Sequence, residues 1–255
     1  PPHVPALSAT LSAGDDAPDV VAAASNRPSA SGGVARVVLR TDGAVTWSDV
    51  VTGRATALAA ADGVLACGTA DGTLHLWGDV ARDRWRGGTA ARLCPPLLAG
   101  GPVAALQLVP AARGHPTRML SVCADGAFAV HDLEKMAVLL EGSVRAALDH
   151  VAASSPRPAA APPRLLRAQL TDAGVAVLLA APGSAGPGGP VQGFVFDASL
   201  RRWLRVADGR FALSDHAAPL APPRTEDAPG GRPVPTLLSR LEGAAGRAAD
   251  AGAAT

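Results

Sequence analysis

Three short phrases recur along this chain of 255 residues: Thr41-Asp42-Gly43-Ala44-Val45-Thr46-Trp47, Ala70-Asp71-Gly72-Thr73-Leu74-His75-Leu76-Trp77 and Ala124-Asp125-Gly126-Ala127-Phe128-Ala129-Val130-His131-Asp132. Each sets an Asp-Gly pair between apolar runs. A tight hairpin turn needs central residues that tolerate positive φ, and Asp-Gly supplies them, so each phrase predicts strand, turn and strand. Asp42, Gly43, Asp71, Gly72, Asp125 and Gly126 are therefore assigned to turns, where an Asp side chain caps its own backbone. The strands that follow end in Trp47-Ser48-Asp49, Trp77-Gly78-Asp79 and His131-Asp132-Leu133.

Apolar runs of strand length fall at 34–39, 44–47, 55–60, 64–69, 73–77, 103–109, 119–123, 127–130, 137–140, 165–170, 175–180, 191–196 and 203–206. Many short strands punctuated by turns specify an all-β architecture. A recurring hairpin ending in a Trp-Asp-like dipeptide specifies blades of a WD-repeat-like β-propeller. The spacing is uneven: Asp42 and Asp71 are 29 residues apart and Asp71 and Asp125 are 54 apart, against roughly 40 to 45 in a regular array. Insertions at 82–96, 153–163 and 181–190 account for this, and about three or four blades fit, so the propeller is partial. Trp77 and Trp203 are expected to be structural anchors, each burying its ring between strands.

Residues 1–33, rich in Pro, Ala, Ser, Gly and Asp without period, are expected to be a disordered linker. The propeller-type domain then covers 34–215, a Pro-rich linker 216–235, and the start of a C-terminal helical region 236–255. Thr236 is a suitable N-cap there, and Leu237, Leu238, Leu241, Ala244, Ala245 and Ala248 share one face of an amphipathic helix. The Leu237, Leu238 and Leu241 stripe needs a cover and is the candidate partner surface. The opening Pro1-Pro2-His3-Val4 carries no initiator Met, as expected of a piece of a longer protein.

Composition narrows the chemistry. The 23 cationic and 22 anionic side chains leave a net charge of +1, without the clustered positive field of a nucleic-acid-binding surface. The group Arg82, Arg84, Arg86 and Arg92, diluted by Asp83, reads as a solvated loop. No apolar run reaches the ~18 residues of a membrane span. Cys67, Cys94 and Cys123 are odd in number and widely spaced, which suits neither a disulfide framework nor a zinc site and fits a reducing compartment. None of the six histidines pairs at a metal-ligand spacing, and His75 and His131 read as polar, rim-facing strand positions. A nucleophile elbow, a phosphate-binding loop and a convergent carboxylate pair are all missing from the sequence. No catalytic, cofactor or metal residue is assigned, and the chain reads as a binding scaffold rather than an enzyme.

From the second hairpin onward the chain resembles a known family. The string 66–77, followed by Arg92-Leu93-Cys94-Pro95-Pro96-Leu97-Leu98-Ala99-Gly100-Gly101-Pro102-Val103, is similar to the C-terminal domain of the HIRA/Hir histone chaperones. Residues 120–133 match that domain's strand, Asp-Gly turn and Trp-Asp-Leu element with His131 in place of Trp, and 166–175 resemble its Gly-turn strand pair. Phe196-Asp197-Ala198-Ser199-Leu200-Arg201-Arg202-Trp203-Leu204-Arg205-Val206-Ala207-Asp208 is the most specific match, and 236–242 resemble the start of its terminal helical region.

The resemblance implies a nuclear interaction module in a complex that deposits histones without DNA synthesis and represses transcription. Such a module self-associates, docks other subunits of the complex and meets histones only indirectly, with no direct nucleic-acid contact. The alternative is a WD-repeat scaffold of another complex, in vesicle traffic or ubiquitin ligation. The 196–208 string speaks against that alternative, whereas the blades alone do not.

Overall fold

Alternating apolar and polar residues give each strand a buried row and an exposed row. In the computed structural model, which describes residues 7–11, 20–27, 33–78, 90–111, 115–154, 161–183 and 191–208, these rows build four antiparallel sheets. The first runs β1 (Leu7–Leu11), β2 (Val20–Arg27), β3 (Val34–Thr41) and β4 (Ala44–Thr52). The second runs β5 (Ala55–Ala61), β6 (Val64–Thr69) and β7 (Thr73–Gly78), with its outer strand in two pieces, β8 (Ala91–Arg92) and β9 (Leu97–Leu98), both paired to β7. The third holds β10 (Val103–Val109), β11 (Arg118–Cys123), β12 (Ala127–Asp132) and β13 (Ala137–Ser143). After helix α1 (Arg145–Ala153), the fourth holds β14 (Arg164–Leu170), β15 (Ala176–Ala181), β16 (Gln192–Asp197) and β17 (Arg202–Ala207). Within each sheet the strands follow in sequence order, β9 excepted, and such meanders are the blades of the β-propeller class read from the sequence.

The chain divides into two compact units. The first contains the first three sheets, through Ser143, with residues 172–174, and the second takes the rest from Val144.

In the first unit, Val20, Ala22 and Ala24 of β2 and Ala35, Val37 and Leu39 of β3 pack on Leu65, Cys67 and Trp77 of the second sheet. The other face of the second sheet, with Ala57, Ala66, Leu74 and Leu76, packs on Val103, Leu108 and Met119 of the third. Polar ties fix these pairings. Asn26 bonds both backbone groups of Ala55, donating to its carbonyl at 2.9 Å and accepting its N–H at 2.8 Å. The Thr56 hydroxyl donates to the Val103 carbonyl, and Thr117 Oγ1 donates to Asp62 Oδ2 at 2.9 Å. In the second unit, α1 buries Ala147 and Val151, and His150 meets Phe194 edge-on at 6.1 Å.

The linker expected over 1–33 is a correction, because β1 and β2 lie within it. Eight residues of β2 pair with β3, and Val20, Ala22 and Ala24 form a buried alternate row. That row is mostly alanine, so its period was hidden in a stretch whose composition resembles a linker. Helix α1 has no counterpart in the sequence reading, while the helix expected from Thr236 onward, the 216–235 linker and Arg82, Arg84 and Arg86 lie outside the described residues.

Single extra residues interrupt many of the ladders. The first strands of the second, third and fourth sheets bulge at Thr56, Ala104 and Leu166. The outer strands do so at Thr46, Leu139 and Val206.

Candidate interaction site

Asp42 and Gly43 both take positive φ, 52° and 79°, and form the two-residue turn expected. Asp62 and Gly63, at 49° and 71°, form a second such turn that the sequence reading did not single out. At the other two sites only the glycine crosses over, Gly72 at 84° and Gly126 at 91°. There the N–H of Gly72 closes on the Thr69 carbonyl at 3.1 Å, and Asp71 Oδ1 accepts from the Thr73 N–H and the Thr69 hydroxyl. Likewise Gly126 closes on Cys123, and Asp125 Oδ1 accepts the Ala127 N–H at 2.9 Å. A Cβ on Gly72 would lie 2.8 Å from the Gly101 carbonyl oxygen, so position 72 requires glycine for space as well as for φ.

The three phrases are not equivalent. Asp71-Gly72 and Asp125-Gly126 join the second and third strands of their sheets, whereas Asp42-Gly43 joins the third and fourth. In the first sheet the matching connection, from β2 to β3, includes Gly33, at φ 92°, 39 residues before Gly72. That interval removes much of the apparent irregularity in spacing. Register also separates the two histidines. Trp77 faces Leu65 and its counterpart His131 faces Met119, while His75, facing Cys67, corresponds to Ala129. His75 is 3% exposed and not rim-facing.

The Asp of the His-Asp dipeptide has a turn function that its neighbours did not reveal. Asp132 Oδ1 accepts the N–H groups of Glu134 and Lys135, each at 3.0 Å, and Met136 then takes φ 49°. Asp197 repeats this, accepting from Ser199 at 2.8 Å and Leu200 at 2.9 Å before Arg201 at φ 52°. Each carboxylate thereby fixes the turn into the outermost strand of its sheet. Trp203, half-buried on that strand in the fourth sheet, meets Phe196 edge-on at 5.0 Å.

Trp77 is fully buried and anchors a polar cluster between the first two sheets. Its indole meets Trp47 edge-on at 5.6 Å and stacks on His75 at 6.0 Å. Its Nε1 donates to Asp49 Oδ2 at 3.0 Å, and Arg92 donates to the same oxygen from Nε at 3.1 Å and Nη2 at 2.9 Å. Burial pushes the Asp49 pKa up, but the bonds from Trp77 and Arg92 outweigh it and hold the carboxyl below its usual value. For His75, burial and then the Arg92 charge favour the neutral ring against the opposing pull of Asp71 and Asp49. Among the described residues, neither His75 ring nitrogen has a hydrogen-bond partner.

This cluster pins Arg92 at the start of an irregular rim. Between the pairs Trp77–Arg92 and Leu74–Leu97, four residues, 93–96, stand opposite two on β7. Pro95 and Pro96 carry no N–H for a ladder, and Leu93 N–H alone returns to the Leu76 carbonyl, at 3.0 Å. The segment presents Leu93, Pro95, Pro96 and Leu98 to solvent, Leu98 at 85% exposure. The thiol of Cys67 nearby is pushed up to about 12 by burial and remains protonated, which unsuits it as a nucleophile. No group of three or more His, Cys, Asp or Glu among the described residues could hold a metal ion. An exposed apolar segment clamped on a rigid sheet is suited to binding.

A family model described as Hira, TUP1-like enhancer of split, matches residues 90–252. No curated protein matches the chain. Among solved structures, HIRA(644-1017) is similar at 21% identity and a TM-score of 0.53, over 85% of this chain and 56% of that one. This chain thus spans little more than half of that relative. A structure of BBS1N in complex with ARL6DN is similar at 13% identity and a TM-score of 0.41, over 66% of this chain and 45% of that one.

Proposed function

Because the chain belongs to the Hira family of WD-repeat proteins, we propose that it is a non-catalytic interaction module of a nuclear histone-chaperone complex, acting in replication-independent nucleosome assembly and transcriptional repression. It binds other subunits of that complex, self-associates, and reaches histones through those subunits and not through DNA. The observation that carries this reading is the rim at 92–98, where a family-like string is held by Asp49 and Trp77 and offers exposed leucines and prolines. Apolar side chains on a rigid support lose little conformational entropy on docking, so they can serve as binding hot spots.

The test uses the whole chain as bait in nuclear extract, with captured proteins identified by mass spectrometry. Subunits of a histone-chaperone complex should be recovered, and Leu93→Asp/Leu98→Asp should reduce their capture by about tenfold while leaving the melting curve unchanged. Recovery of vesicle-coat or ubiquitin-ligase subunits instead would transfer the module to another complex. Tight binding to duplex DNA at physiological salt, with no subunit recovered, would overturn the reading.

A further inference from the structure

The first sheet has one face packed on the second sheet and one turned away from it. Register places Arg27 on the outward face opposite Val34, Arg36 between Ser25 and Val50, and Arg40 between Val21 and Val45. Val38 lies between the latter two arginines. All three arginines are exposed, as is Val50 at 57%. Among the described residues no acidic side chain shares this face: Asp42 is in the turn, and Asp49 points to the opposite side, where it bonds Trp77. The Arg36 guanidinium donates to Ser48 Oγ at 3.2 Å and that of Arg40 to the Gly43 carbonyl at 3.4 Å. Among the described residues, none of the three is paired with a carboxylate.

We propose that this face binds an acidic polypeptide segment, its carboxylates on Arg27, Arg36 and Arg40 and its apolar side chains over Val38 and Val50. The faces that pack sheet on sheet in the first unit are lined by Ala, Val, Leu, Cys, Met and Trp, without a buried guanidinium. Another sheet laid on the arginine face would strip three cations of water and return no partner, a large cost. Carboxylates match the guanidinium forks and remove that cost. Phosphates would match them too. A duplex, however, offers little apolar surface to the intervening valines, and the near-zero net charge of the chain adds no field to attract it. This inference does not depend on the family or on the rim at 92–98.

The test measures binding of the whole chain by fluorescence anisotropy. The probe is a labelled Glu-Val peptide, about eight residues of repeating Glu-Glu-Val-Val, which sets both residue types on one face of an extended chain and spans β3 at ~3.3 Å per residue. The expected result is saturable, salt-weakened binding, about tenfold weaker for a Gln-Val peptide and for Arg36→Glu/Arg40→Glu, and retained by Arg36→Lys/Arg40→Lys. If the reversed variant loses its cooperative melt, Arg36→Gln/Arg40→Gln carries the same comparison. Equal binding of the Gln-Val peptide, or no effect of removing the charges, overturns the proposal. So does duplex DNA that binds more tightly than the acidic peptide and is lost with the same arginines.

Discussion

Replacing Trp77 in two steps separates its packing from its hydrogen bond. The ring is completely buried between the first two sheets, and a buried Trp removes roughly 200 Å² from water, worth about 5 kcal/mol at ~25 cal/mol/Å². Trp77→Ala keeps some of that through relaxation, which leaves a cost of about 3 to 5 kcal/mol. Trp77→Phe keeps an aromatic ring against Trp47, so most of the packing stays and the bond to Asp49 is the main loss. Asp49 retains Arg92 and partial solvent access, so the low end of the range for a charged acceptor applies, about 1.5 kcal/mol.

For a chain of this size each kcal/mol moves a melting transition by roughly 2 to 4 °C. Circular-dichroism melts at neutral pH should therefore place the Ala variant about 10 °C or more below the parent and the Phe variant a few degrees below it. The two effects also differ in pH dependence. The folded-state pKa of Asp49 is lowered, so its contribution is present above the ordinary carboxylate pKa and is lost as pH falls through the folded value. The deficit of the Phe variant should shrink below about pH 4, while that of the Ala variant persists. An Ala variant within 2 °C of the parent, or a Phe deficit that ignores pH, would refute the reasoning.

Gly68 sits where a Cβ would lie 2.4 Å from Val103 Cγ1 of the third sheet. Gly68→Ala should lower the denaturant midpoint by the equivalent of about 1 to 3 kcal/mol, and Val103→Ala in the same chain should recover part of the loss. His75 is buried and held neutral. Its folded-state pKa lies below the unfolded value of about 6.5, so its contribution is present above that pH and is lost as pH falls below it. His75→Leu should flatten the stability profile below about pH 6.5, as measured by urea unfolding at stepped pH.

Local patterning carried the strand order well. The runs at 64–69 and 103–109 coincide with β6 and β10, because Val, Leu and Cys on a strand of average length leave little choice of register. β2 escaped because alanine fills its buried positions. β8 and β9 escaped because two-residue strands broken by Pro95 and Pro96 have no period to detect. The Asp-Gly pairs marked hairpins, but not which hairpin of a sheet each one closes, since strand pairing is a property of the assembled sheet. The same limit applies to the site: Leu-His-Leu-Trp places Trp77 on a strand, whereas its acceptor Asp49 is 28 residues away and the cation sharing that acceptor is 43 from Asp49. Such long-range pairs leave no mark in a local window.

The extra residues in the outer strands bear on how copies of this chain can meet. A straight run of unpaired N–H and C=O groups would invite any passing strand to extend the sheet. Thr46, Leu139 and Val206 each break that run, and residues 93–96 break it in the second sheet. Each of the four outer strands thus has its register broken at least once, which shortens the template it offers to a fifth strand. At these interruptions a contact has to be made by side chains, which can be selective about a partner in a way that a bare backbone cannot.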